Sequence, residues 1–290
     1  MNGALLNYEQ KFFIDGLNVS GINNVQGGYY INEAPVNILG FGNVGIGFFN
    51  NPSDADPPKD MAALVSPIEG RFSVGGTLVS RDIFMDYTGG IPFSGSINYR
   101  DNPGSTISGF GFTSGYLSRH SVSCSVGQLP TTQTQIYAFG DVGSGISAKD
   151  SDKTFSPHPE IQLTNQENIR VQCRGTGTNR VTQASYSIEA DLSPIYTIGS
   201  PYASQVDIVW PIKAQLDFTI EVDDFEYKSM RDYFTTPVLS NVSILISDCE
   251  KNPVQNYTII SGRLIQEAIR TSVDGVLSVD LTYVTYYNKR

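Results

Sequence analysis

The sequence predicts a mainly β protein made of two similar halves. Three observations predict it: apolar and polar residues alternate with period two, turn-forming residues separate the alternating runs, and short motifs recur in the same order along the chain. A 290-residue chain is long enough for one large domain or two ordinary ones, each with its own core.

Taken from the N-terminus, "NNVQGGYYINEAPVNILGFG" (Asn23–Gly42) reads as strand, ending in a short apolar run closed by glycine. The same ending recurs in "IYAFG" (Ile136–Gly140) and "IYTIG" (Ile195–Gly199). At Gly40–Gly47, "GFGNVGIG" matches G-x-G-x-x-G, a fingerprint that works only where a strand turns directly into a helix whose amides meet a pyrophosphate. The residues that follow include Pro52, Pro57 and Pro58, which a helix interior does not tolerate, so no dinucleotide cofactor is expected. "SRDIFMDYTGG" then predicts a short helix with Ser80 as cap, Gly89 as stop and Ile83 and Tyr87 on its apolar face.

"RHSVSCSV" places His120, Val122, Cys124 and Val126 on one strand face. Further strands are "NIRVQC" (Ile169, Val171, Cys173), "QLDFTIEV" (Leu216, Phe218, Ile220, Val222), "NVSILI" (Val242, Ile244, Ile246) and "VLSVDLTY" (Leu277, Val279, Leu281, Tyr283). The second helix is expected in "DDFEYKSMRDYF", capped by Asp223 or Asp224, with Tyr227, Met230 and Phe234 on one face.

Five motifs recur collinearly. Ile38 of "ILGFG" corresponds to Ile195, Val65 of "VSPI" to Val209 of "VWPI", Asp86 of "DYT" to Asp232 of "DYF", Asn102-Pro103 to Asn252-Pro253, and "SGYL" at Ser114 to "SGRL" at Ser261. Their offsets run from 144 to 157, the difference arising in a longer loop of the first half. "GSGISAKDSDKTFSPHPE" reads as the linker, so the expected domains are residues 1–148 and 149–290, the second including the linker.

Charged residues make up 17%, below the roughly 25% of ordinary soluble domains, beside 16 Tyr, 15 Phe and 28 Gly. That suits a subunit largely covered by neighbours, and equally an uncharged extracellular β-protein. A net charge of −10 argues against gripping a phosphate backbone while remaining compatible with DNA that passes without sticking. Cys124, Cys173 and Cys249 follow no C-x-x-C spacing and are expected as reduced, buried thiols of a protein made in a cytoplasm. No run is long and apolar enough for a membrane span, and no export signal is expected.

Catalytic chemistry has little to draw on. His158 lies in the linker, and His120 is expected as a core or interface histidine with one hydrogen bond. Cys124 shares its face but stands roughly 13 Å away along the strand, too far for proton transfer. Neither "DADPPKD" nor "EVDDFEY" has the spacing of a calcium loop, and the sequons at Asn18, Asn241 and Asn256 are read as accidental. No catalytic, cofactor or metal residue is assigned, and the chain is read as a non-enzyme.

"GYLSRHSVSCSVGQLPTTQTQIYAFG" (Gly115–Gly140), an alternating strand, a "SVGQLP" turn and a second strand, resembles the tail tube subunits of long-tailed bacteriophages, as does the strand pair at Asn23–Gly42. The resemblance implies two tandem tail-tube-like β-sandwich domains, each with one short helix. It also implies sheets that join side by side between subunits into stacked rings, a conduit for DNA in the virion tail. Most such subunits carry one domain and form hexamers; two per chain imply pseudo-hexameric trimers as the alternative closure. The expected partners are further copies, other tail proteins and passing DNA, with no membrane. On this reading Asp217, Glu221 and Asp223 are candidate lumen-lining residues, against an outward solvated face. The loop at 48–62, with Asp54, Asp56, Lys59 and Asp60, is the candidate contact to the next ring, against an ordinary surface loop. A tail-tip hub or baseplate ring of the same fold is the nearest alternative, and a carbohydrate-binding double sandwich a more distant one.

Overall fold

A computed structural model of the protein describes residues 9–35, 37–38, 42–43, 62–100, 108–146, 168–173, 176–178, 181–221, 239–271 and 277–289. Their structure is mainly antiparallel β. In chain order the strands are β1 (Glu9–Ile14), β2 (Leu17–Val19), β3 (Ile22–Pro35), β4 (Asn37–Ile38), β5 (Gly42–Asn43), β6 (Ala62–Thr77), β7 (Phe93–Arg100), β8 (Ser108–Ser125), β9 (Thr131–Ala138) and β10 (Val142–Ser144). They continue as β11 (Ile169–Cys173), β12 (Thr176–Thr178), β13 (Val181–Tyr196), β14 (Ala203–Glu221), β15 (Leu239–Ser247), β16 (Pro253–Arg270) and β17 (Ser278–Tyr287).

Two sets of seven strands share one pairing order. The first runs β2-β1-β7-β8-β9-β6-β3 and the second β12-β11-β15-β16-β17-β14-β13, the same ranks in each. The registers agree as well. One bulge falls between Phe93 and Gly95 against β8, and another between Ser240 and Val242 against β16. A second pair lies after Leu117 in β8 and after Leu264 in β16. Each pair is 147 residues apart. Ser114 and Ser261, also 147 apart, carry φ of 51° and 55°, the left-handed region, inside the bulge that β8 makes against β7 and β16 against β15. In β6 and β14 the offset is 144, as the Val65–Val209 motif predicts. In β3 and β13 it is 159; Ile38 lies beyond β3, in β4, where this register does not reach.

The packing of the two sets is complementary in volume. Gly27 lies opposite Phe72, where an added Cβ would stand 2.1 Å from the ring, while the equivalent second-set pair is Tyr186 opposite Leu216. Gly95 faces Phe112 in the same way, against Val242 and Ile259. Phe112 is fully buried, its ring 4.6 Å from Phe72 and 5.9 Å from Phe93. Fully buried Val242, Ile244, Ile246, Tyr257, Ile259, Leu281 and Tyr283 form the second set's share of a continuous core.

The first helix is a 3-10 turn, Ile83–Tyr87, capped by Asp82 and not by Ser80: Asp82 Oδ1 accepts from Phe84 N at 3.1 Å. Gly90, one residue beyond the expected stop, takes the left-handed conformation. Val126 leaves the core face, since β8 ends at Ser125 and Val126 opens an exposed turn, and Leu277 precedes β17 and is exposed too. Cys124 is buried as expected, but Cys249 is exposed. It rides on the β15–β16 turn, whose backbone is held by Asp248 Oδ1 accepting from Glu250 N and Asn252 N, and a turn tip has no layer to cover it. Of the glycine motif, Gly42–Asn43 pairs back on Asn37–Ile38 as a two-strand ladder. The second helix, the domain boundary, His158, Asp223 and the loop residues Asp54, Asp56, Lys59 and Asp60 lie outside the described residues.

Candidate functional site

The two seven-strand sets are joined by strand pairing. β13 lies antiparallel to the C-terminal half of β8, with Ala184 opposite Cys124, Tyr186 opposite Val122, Ile188 opposite His120 and Glu189 opposite Arg119. β8 is therefore flanked on one side by β9 and on the other by β7 followed by β13. Along this seam Val122, His120 and Cys124 of one strand and Ala184, Tyr186 and Ile188 of the other are all buried.

A buried polar cluster sits against the seam. Because an ionised carboxylate only accepts, His120 Nε2–H donates to Asp82 Oδ2 at 2.7 Å, while His120 Nδ1 meets Thr134 Oγ1 at 2.8 Å. Tyr257 OH, from the other set, donates to the same Asp82 Oδ2 at 2.7 Å, and Phe84 stacks on the imidazole at 5.7 Å. His120 thus makes two hydrogen bonds, not the one expected. Burial pushes the Asp82 carboxyl up, but the His120 charge and the hydrogen bonds from His120, Tyr257 and Phe84 N outweigh it and hold the group below the ordinary carboxylate value. Burial, then the Asp82 charge, pushes the Tyr257 hydroxyl well above its usual value. The linear order of Thr134, His120 and Asp82 resembles a hydrolase triad, yet Thr134 and His120 have no exposed surface at which a substrate could arrive. The arrangement ties β8, β9, β16 and the 3-10 turn together. Sequence reasoning missed Asp82 and Tyr257, which stand 175 residues apart with no motif in common.

The face of the large sheet turned away from the core is polar. Asp217 lies on it, half-buried, accepting from Thr282 Oγ1 at 2.7 Å and Gln215 Nε2 at 2.9 Å. Glu221 lies on the same face of β14, at its end. Lys213 shares that face, and Glu189 stands between Lys213 on β14 and Arg119 on β8. Asp280 is bonded by Thr219 Oγ1 at 2.8 Å and ion-paired with Arg270. Hydroxyl and amide groups thus stand beside Asp217 and Asp280 on this surface, and Asp223 lies outside the described residues. Among the described residues no group of three His, Cys, Asp or Glu side chains could hold a metal ion, and no helix is long and apolar enough to cross a membrane.

Two sheet margins complete the site. Among the described residues β3 pairs only with β6, and beyond Arg263 β16 pairs only with β17. These margins carry exposed apolar side chains, Tyr29 on β3 and Ile265 and Ile269 on β16. A scan against protein-family models finds no match, and a search of curated proteins finds none either.

Proposed function

We propose that the chain is a non-enzymatic, self-assembling structural subunit of a long-tailed phage tail tube. On this reading the two strand sets are tandem copies of one tail-tube-like domain, chains join edge to edge into rings, and stacked rings conduct DNA. The observation that carries the proposal is the β8–β13 seam, where one set extends the sheet of the other and, among the described residues, β3 and the C-terminal end of β16 are left with a partner on one side only. An open margin is an assembly surface or an aggregation hazard, and here both margins are long and partly apolar. A head-to-tail contact of this kind closes into a ring or winds into a filament.

The polar face suits a lumen wall. Asp217 and Asp280 on it are hydrogen-bonded and Glu189 is flanked by Lys213 and Arg119, so a phosphate backbone meets acids and hydroxyls and no basic stripe to grip. Asp217 and Glu221 remain the candidate lining on β14. Negative-stain microscopy of the purified protein tests the reading. Stacked rings or tubes with a central channel are expected; discrete single rings would move the assignment to a tail-tip hub, and compact isolated particles would overturn self-assembly altogether.

A further inference from the structure

The internal seam is also a template for a second one. Each residue of β13 that meets β8 has a counterpart 159 positions earlier in β3, and each residue of β8 has one 147 positions later in β16. β15 occupies on β16 the flank that β7 occupies on β8, and among the described residues no strand takes beside β16 the position that β13 fills beside β8. We infer that β3 of a second copy of this chain pairs antiparallel with the C-terminal half of β16, in the register Gln26–Arg270, Gly27–Ile269, Gly28–Ala268, Tyr29–Glu267 and Tyr30–Gln266. This rests on the ring reading above and specifies its contact.

Burial argues for the register. Val122 is fully buried at the internal seam, whereas its counterpart Ile269 is 53% exposed; Ile188 is 5% exposed, whereas its counterpart Tyr29 is 54% exposed. In the inferred pairing these two exposed side chains share the core-side face, as Val122 and Ile188 do. A slip by one residue would turn Tyr29 and Val25 to the polar side, so the apolar pattern rejects odd shifts. Size is matched across the strands: Ile269 meets Gly27, which has no side chain, and Gly28 meets Ala268. Gln26 and Arg270 face each other on the polar side without like charges opposed.

Disulfide trapping between differently marked chains tests this. In a Cys249→Ser background, Gln26→Cys protein is mixed with Arg270→Cys protein and mildly oxidised. Ser185→Cys with Ser123→Cys in one chain reports the internal seam as the positive control, and Gly28→Cys mixed with Arg270→Cys reports a two-residue slip. The expected result is rings by microscopy, an intermolecular disulfide for Gln26→Cys with Arg270→Cys at several times the yield of the slipped pair, and an intrachain bond in the control. Rings in which the slipped pair, or neither pair, cross-links would overturn the register and leave the ring reading standing. Wild-type protein that stays monomeric would overturn both.

Discussion

At the scale of single residues, the Asp82 carboxylate holds the two strand sets together. It is buried and serves His120, Tyr257 and the Phe84 amide at once, so removing it strands several polar groups out of reach of water. Asp82→Ala is expected to destabilise the chain by about 3–5 kcal/mol in denaturant unfolding, and Tyr257→Phe by about 1.5–3 kcal/mol. The pH dependence has a definite sign. The folded carboxyl titrates below the ordinary value of 3.8, so its contribution is complete above that value and is lost as pH falls through the lower folded one. Wild-type stability should therefore drop below about pH 4 more steeply than that of Asp82→Asn, measured by unfolding midpoints across pH 2–6. Little of this was legible in the sequence. The alternation around Val122 and Cys124 identified the face of His120, but Asp82 reads as an ordinary helix-start acid and Tyr257 as part of a glycosylation triplet. Their meeting is decided by a seam between distant strands.

At the scale of elements, the strands were the most legible feature, because period-two burial is written directly into runs such as Leu216–Phe218–Ile220 and Val242–Ile244–Ile246. Their ends were less so: Val126 continues the alternation by chance after the chain has entered a turn with Gly127 in the left-handed conformation. The cap at Asp82 competes with Ser80 for the same helix start, and only the carboxylate reaches the Phe84 amide. The volume exchange between the sets makes a prediction here. Gly95→Val should push against the Phe112 ring and destabilise by about 1–3 kcal/mol, whereas Gly95→Val combined with Phe112→Ile, which reproduces Val242 and Ile259, should recover most of that loss. A thermal unfolding cycle over the four proteins checks it; additive losses would mean that the two sets do not share a core geometry.

At the scale of the whole molecule, the tandem motifs "SGYL" and "SGRL" were the most informative stretch of sequence, since Ser114 and Ser261 mark the same bulged bend in both long strands. What the sequence could not express is which margins stay open, because that depends on β13 occupying the flank of β8. The account predicts that blocking a margin leaves the fold intact. Ile269→Lys, at a half-exposed position, should change stability by no more than about 0.5 kcal/mol while preventing association, because it places a charge where a neighbouring strand must dock. The central claim, that these margins are satisfied by further copies, is tested most directly by sedimentation velocity of the wild-type chain over a wide concentration range, with Ile269→Lys alongside. The account predicts ring- or tube-sized species for wild type and a single 31.7 kDa particle for the variant. A wild-type chain that sediments as that same single particle at every concentration would contradict it.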